Sequence, residues 1–117
     1  MKVTIITILV VLAMTTPASA DFEVGKTLLF KCQKGEGSDA TSPMFYGFCT
    51  GYIEAVVDSL KGADRGVNGF VFCPPGNATI KQLRNGVRSS LEANPQHLHF
   101  TAASLVAKAL SEAFPCK

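Results

Sequence analysis

Four cysteines, two histidines and one aspartate in a helical stretch are the side chains of this sequence whose types could do chemistry. Cys32, Cys49, Cys73 and Cys116 are separated by 17, 24 and 43 residues. None of these gaps makes a redox Cys-x-x-Cys, and the set fits no common zinc spacing. His97 and His99 could both reach a metal only in an extended segment, and no acidic residue stands close to them in sequence. They read as loop residues or helix-start caps. Hydrolysis needs a nucleophile, a base and an orienting group. No serine lies in a Gly-x-Ser-x-Gly elbow, oxidised cysteines offer no thiolate, and Asp58 is a lone carboxylate near a helix end. The expectation is a protein with no catalytic residue, no metal site and no cofactor.

What the cysteines do depends on the compartment, and the first residues address that. Lys2 precedes an apolar run over residues 3–14, and Pro17-Ala18-Ser19-Ala20 closes it with small residues. This is the three-part pattern of a cleavable secretory signal. The run stops at Thr15, short of the roughly 20 apolar residues that span a membrane. Cleavage between Ala20 and Asp21 leaves 97 of the 117 residues, and a periplasmic or secreted location. An even cysteine count in an oxidising compartment reads as a disulfide framework. Four cysteines allow three pairings, and spacing does not choose among them. Cys32–Cys49 with Cys73–Cys116 is the least entangled along the chain and is the pairing expected. Without Lys2 the basic residues exceed the acidic ones by one, a balance that suits neither nucleic acid nor an anionic membrane as partner.

Four helices can be argued. The first covers residues 24–34, with Leu28, Leu29 and Cys32 on one face and Gly35 as its stop. The second starts at Ser42 as N-cap with Pro43 behind it. Tyr46, Cys49, Tyr52, Ile53, Val56, Val57 and Leu60 then recur at helical spacing, and Gly62 ends the run. Gly47 and Gly51 each cost about 1 kcal/mol against alanine inside that helix, so another helix is expected against them. After a glycine-rich stretch, Phe70-Val71-Phe72 reads as an extended segment pinned by Cys73. Thr79 and Gln82 form a capping box for a third helix with Ile80, Leu83, Val87 and Leu91 inward. Asn77-Ala78-Thr79 also matches a glycosylation sequon, but Thr79 as helix cap explains it without modification. The fourth helix covers residues 101–113, with Ala102, Leu105, Val106, Ala109, Leu110 and Ala113 facing the core. The fold expected is all-α: a small four-helix domain over 21–117, stapled by two disulfides, after a signal peptide at 1–20. A domain of that length buries only about 60–65% of its unfolded surface.

One ordered set of features goes further. It comprises Val24-Gly25 with Leu28-Leu29 before Cys32, then Cys49-Thr50-Gly51-Tyr52-Ile53 with Asp58 beyond. It continues through Phe72-Cys73-Pro74-Pro75-Gly76, Gln82-Leu83, Ala109-Leu110 and Phe114-Pro115-Cys116. This set resembles the Rap/Tai immunity proteins, periplasmic antidotes to type VI secretion cell-wall amidases, over nearly the whole mature chain. The resemblance implies an all-helical periplasmic protein, often a homodimer, that binds a peptidoglycan amidase effector and blocks its active-site cleft. It implies no catalysis. Cysteines, glycines and core positions carry it, so the residues that grip a toxin do not follow from it. The loop over residues 61–70 is the candidate: Gly62, Gly66 and Gly69 let it protrude, and Asp64, Arg65 and Asn68 offer polar tips. The rival is the loop over 35–41, with Glu36 and Asp39. Two other readings stand beside this one: a periplasmic helical stress or chaperone-like protein with no toxin partner, and a metal or small-ligand carrier using His97 and His99.

Overall fold

Hydrogen bonds local to each helix end decide where the helices begin. In the computed structural model, which describes residues 22–117, helix α1 spans Gly25–Gly35. The signal peptide and the Ala20–Asp21 cleavage point lie outside the described residues. Val24 is extended, and its N–H donates to Thr27 Oγ1 (3.3 Å) while the Thr27 hydroxyl donates back to the Val24 carbonyl (3.0 Å). The next two N–H groups, of Gly25 and Lys26, donate to the carbonyls of Phe100 (3.0 Å) and Leu98 (2.8 Å). In return Ala102, first residue of the last helix, donates to the Glu23 carbonyl at 2.9 Å. Two helix starts thus satisfy donors that neither could satisfy alone.

Helix α2 spans Ser42–Leu60, and its N-cap is Thr41, one residue before the Ser42 expected. The capping group comes from further back. Asp39 Oδ1 accepts from the Thr41 N–H (2.9 Å), the Thr41 hydroxyl (2.6 Å) and the Ser42 hydroxyl (3.2 Å). At the other end Lys61 is extended and Gly62, at φ +126°, turns the chain away. Helix α3 spans Ile80–Ala93 behind the expected box: Gln82 N–H to Thr79 Oγ1 (3.2 Å), Thr79 N–H to Gln82 Oε1 (2.9 Å). A single 3-10 turn at Pro95–His97 leads toward α4, Ala102–Ala113.

The core lies among all four helices. Leu28, Ile53, Val87, Val106 and Leu110 are fully buried in it, with Cys32 and Cys49. Phe72 is the largest fully buried side chain and comes from no helix. Burying a ring of this kind is worth about 1.5–3 kcal/mol, which explains why an extended segment holds its place without a strand partner. Cys73 fastens that segment further, through a Cys73–Cys116 disulfide and an N–H to the Phe114 carbonyl at 2.8 Å. The second disulfide joins Cys32 of α1 to Cys49 of α2, with Cα atoms 5.0 Å apart. Among the described residues there are four α-helices and no strand, only isolated bridges at Val24–Thr101 and Val67–Phe70. Fold class and disulfide pairing are as the sequence led us to expect.

Three expectations are corrected. Gly47 and Gly51 are exposed, and a Cβ built on either would meet nothing within 4 Å, so no helix of this chain covers them. The close approach is at Gly35, whose Cβ would fall 2.6 Å from the backbone N and Cα of Tyr46. Tyr46 is not a core residue; its half-exposed ring lies under the Arg84 guanidinium, 4.5 Å from ring centre. Ala113 is exposed because the last turn of α4 runs beyond the core, while its other expected core residues are buried.

Candidate partner-binding surfaces

Three surfaces offer themselves, and the sequence pointed to two. The 61–70 loop is a built turn rather than a slack connector. Val67 and Phe70 exchange backbone hydrogen bonds at 3.2 and 3.0 Å, and between them Asn68 (φ +52°) and Gly69 (φ +82°) both take positive φ. That is the dihedral pattern of a type I′ hairpin turn, for which Asn-Gly is favoured. Gly66 is required as well: at φ +103°, its Cβ would collide with the Phe70 carbonyl. Asn68 does not serve as a free tip, since its Nδ2 donates to Ser104 Oγ of α4 at 2.5 Å. Asp64 and Arg65 remain exposed, with Arg65 Nη1 reaching the Ser59 carbonyl at 3.4 Å.

The rival loop at 35–41 has its acidic groups engaged. Glu36 binds Arg84 (3.2 Å) and Arg88 (2.9 Å) of α3 through separate oxygens. Asp39 binds Thr41, Ser42 and Lys34, and the hydroxyl of Thr41 with the charge of Lys34 holds its carboxyl far below the usual carboxylate range. Arg84 is only 7% exposed, and its Nε and Nη1 are buried without a partner. The sequence reading missed this buried cation. A signal existed: Arg84 stands three residues before Val87 and seven before Leu91, on the inward stripe of α3.

The third surface, also not foreseen, covers the outer sides of α1 and α2. Met44 is 64% and Phe48 42% exposed, and both lie on the α2 face that carries Gly47 and Gly51. Phe30 of α1 is exposed beside them, edge-on to Phe45 at 5.7 Å between ring centres. The Lys31 ammonium sits 3.7 Å from the Phe48 ring centre, and Phe48 stacks near Tyr52 at 6.4 Å. Burial, with the charge of Glu23 adding to it, pushes the Tyr52 phenol above its ordinary value. Large aromatic and methionine side chains grouped in the open mark a place for another molecule more often than they occur by chance.

The structure does not assemble a reaction centre from the remaining candidates. His97 ends the 3-10 turn and His99 is exposed, each against the Phe100 ring at 5.8 and 4.2 Å. Asp58 is exposed on the outer side of α2. Among the described residues no three His, Cys, Asp or Glu side chains gather at a point that could hold a metal. No described helix is long and apolar enough to cross a membrane. Four helices held by two disulfides present these exposed surfaces. The family of Rap1a immunity proteins matches residues 24–116, and the chain belongs to that family. Among curated proteins no relative matches.

Proposed function

We propose that this immunity protein neutralises a peptidoglycan amidase effector in the periplasm by docking on it and obstructing its active-site cleft. Family membership supports the toxin-binding role, and the observation that supports the mode of docking is the fixed 61–70 turn. The positive-φ residues and the Asn68–Ser104 bond fix this loop against α4, and Asp64 and Arg65 stand exposed on it as polar groups for a partner. Pre-ordering such a loop lowers the entropy lost on binding. The test is affinity for the cognate amidase. Asp64→Ala with Arg65→Ala weakens it at least about tenfold, or about 1.4 kcal/mol, with an unchanged melting temperature. Unchanged affinity for a demonstrated cognate enzyme moves the contact off this loop.

The open face of α2 supports homodimerisation. Antiparallel pairing of two α2 helices about Gly51 sets Asp58 of each copy opposite Met44 of the other, in a first turn that carries no acidic residue. It also sets Glu54 opposite Phe48 and its Lys31 cation. Both juxtapositions are electrostatically favourable, and the glycines let the two backbones approach. Sedimentation of Phe48→Glu as a monomer where the parent sediments as a dimer supports this face; a dimer in both places the contact elsewhere.

A further inference from the structure

A cavity of about 400 Å3 opens between the 61–70 turn and α4, and neither the amidase nor the dimer reading uses it. Its walls are mainly apolar. Phe70 comes from the turn, Phe100 from the segment before α4, and Leu105 from α4 itself. Phe100 is half exposed, although a ring of its size gains from burial. A volume of this order falls within the range of small-molecule sites, which pair apolar walls with a few placed polar groups.

The cavity is held in shape by bonds that span it. Asn68, in a left-handed conformation uncommon outside glycine, donates to Ser104 Oγ, and Ser104 Oγ lies 2.7 Å from Thr101 Oγ1. These polar groups satisfy one another, so the cavity floor is fixed and asks for little hydrogen bonding from an occupant. The titratable side chains that line it are Lys108 and His97, and no carboxylate does. Lys108 pairs with Glu112 one turn along α4, but Glu112 is largely exposed. An ion pair of that kind is held weakly, which leaves the ammonium able to turn toward an anion in the cavity.

We propose that this cavity is a binding site for a small carboxylate carried on an aromatic body. The ring lies between Phe70, Phe100 and Leu105, and the carboxylate meets the Lys108 ammonium. The site is independent of the amidase reading and stands or falls separately from it.

The probe is 3-phenylpropionate, titrated into the mature protein and followed by backbone amide shifts, with 3-phenylpropan-1-ol as its neutral counterpart. Saturable shifts centre on Phe70, Thr101, Ser104 and Leu105. The acid binds more tightly than the alcohol by roughly threefold at low salt, the size of one solvent-exposed ion pair. Lys108→Gln removes that preference and leaves the affinity for the alcohol as it was. Shifts that fail to saturate, or that gather at Met44 and Phe48 instead, overturn the proposal. So does an equal affinity for acid and alcohol in the parent, or a Lys108→Gln variant that still prefers the acid.

Discussion

Glycines stand at both sides of helix α2, one on the neighbouring α1 and two on α2 itself, for opposite reasons. On its inner side the helix meets Gly35 of α1 at a distance where one methyl group would strike the Tyr46 backbone. On its outer side Gly47 and Gly51 face empty space. The inner contact is surrounded by ties that leave it no alternative: the Cys32–Cys49 disulfide, the Glu36–Arg84 pair and Arg84 over the Tyr46 ring. The outer side is open, with Met44 and Phe48 exposed on it and the Lys31 cation against the Phe48 ring. A glycine inside a helix therefore signals close approach only when the helix's own buried stripe points the same way. Where it points elsewhere, as at Gly47 and Gly51, the glycine weakens the helix and no contact among the described residues offsets that cost.

The strongest way to break the inner contact is to remove its staple. Cys32→Ser with Cys49→Ser frees a loop of 17 residues, which in the chain-entropy model costs about 3 kcal/mol. That is a large share of the roughly 5–15 kcal/mol total of an ordinary domain. Urea denaturation under oxidising conditions measures it. A change in midpoint too small to resolve would mean that packing at Gly35 holds α1 to α2 without the disulfide.

The comparison sharpens when a single methyl is placed on each side. Gly35→Ala should destabilise by about 1–3 kcal/mol, because the atoms it strikes are backbone and cannot rotate away. Gly51→Ala should stabilise by up to about 1 kcal/mol, since it adds helix propensity and meets nothing. Thermal melts of the two variants beside the parent test both signs at once. A destabilised Gly51→Ala would mean that the outer face is closed by a contact between chains.

Local chemistry was legible in the sequence, and the placement of faces was less so. The Thr79–Gln82 box and the extended Phe70-Val71-Phe72 segment follow from residues within a few positions of each other, and the structure contains both. The glycine groove was misread although the period held the answer. Gly51 stands two residues before the fully buried Ile53, nearly half a turn around the helix from it. The Asn68-Gly69 hairpin turn went unread although that dipeptide signals one, and Asn68 as a strut to Ser104 was not legible, because 36 residues separate the two. The burial of Arg84 was marked by its place on the stripe of Val87 and Leu91, but its partner Glu36 stands 48 positions earlier. Pairings of that range come from the tertiary fold and leave no local trace.

The smallest effect expected lies at the entrance to the inner side, where Asp39 closes the turn between α1 and α2. Its carboxylate accepts three hydrogen bonds from Thr41 and Ser42 and pairs with Lys34. These favour the charged form, so the folded protein holds the proton less readily than the unfolded chain, whose value is near 3.8. A depressed carboxyl contributes stability that is complete well above that value and is lost as the pH falls through it and below. Asp39 is exposed to solvent, which keeps the contribution small. Asp39→Asn keeps an oxygen acceptor for the Thr41 N–H but cannot titrate. Melting temperatures measured from about pH 5 down to about pH 2 should therefore fall less steeply in Asp39→Asn than in the parent, with the two curves drawing together as the pH drops below 3.8. Parallel curves over that range would mean that the turn is held by its backbone bonds and by Lys34 in another pairing, with the Asp39 charge adding nothing.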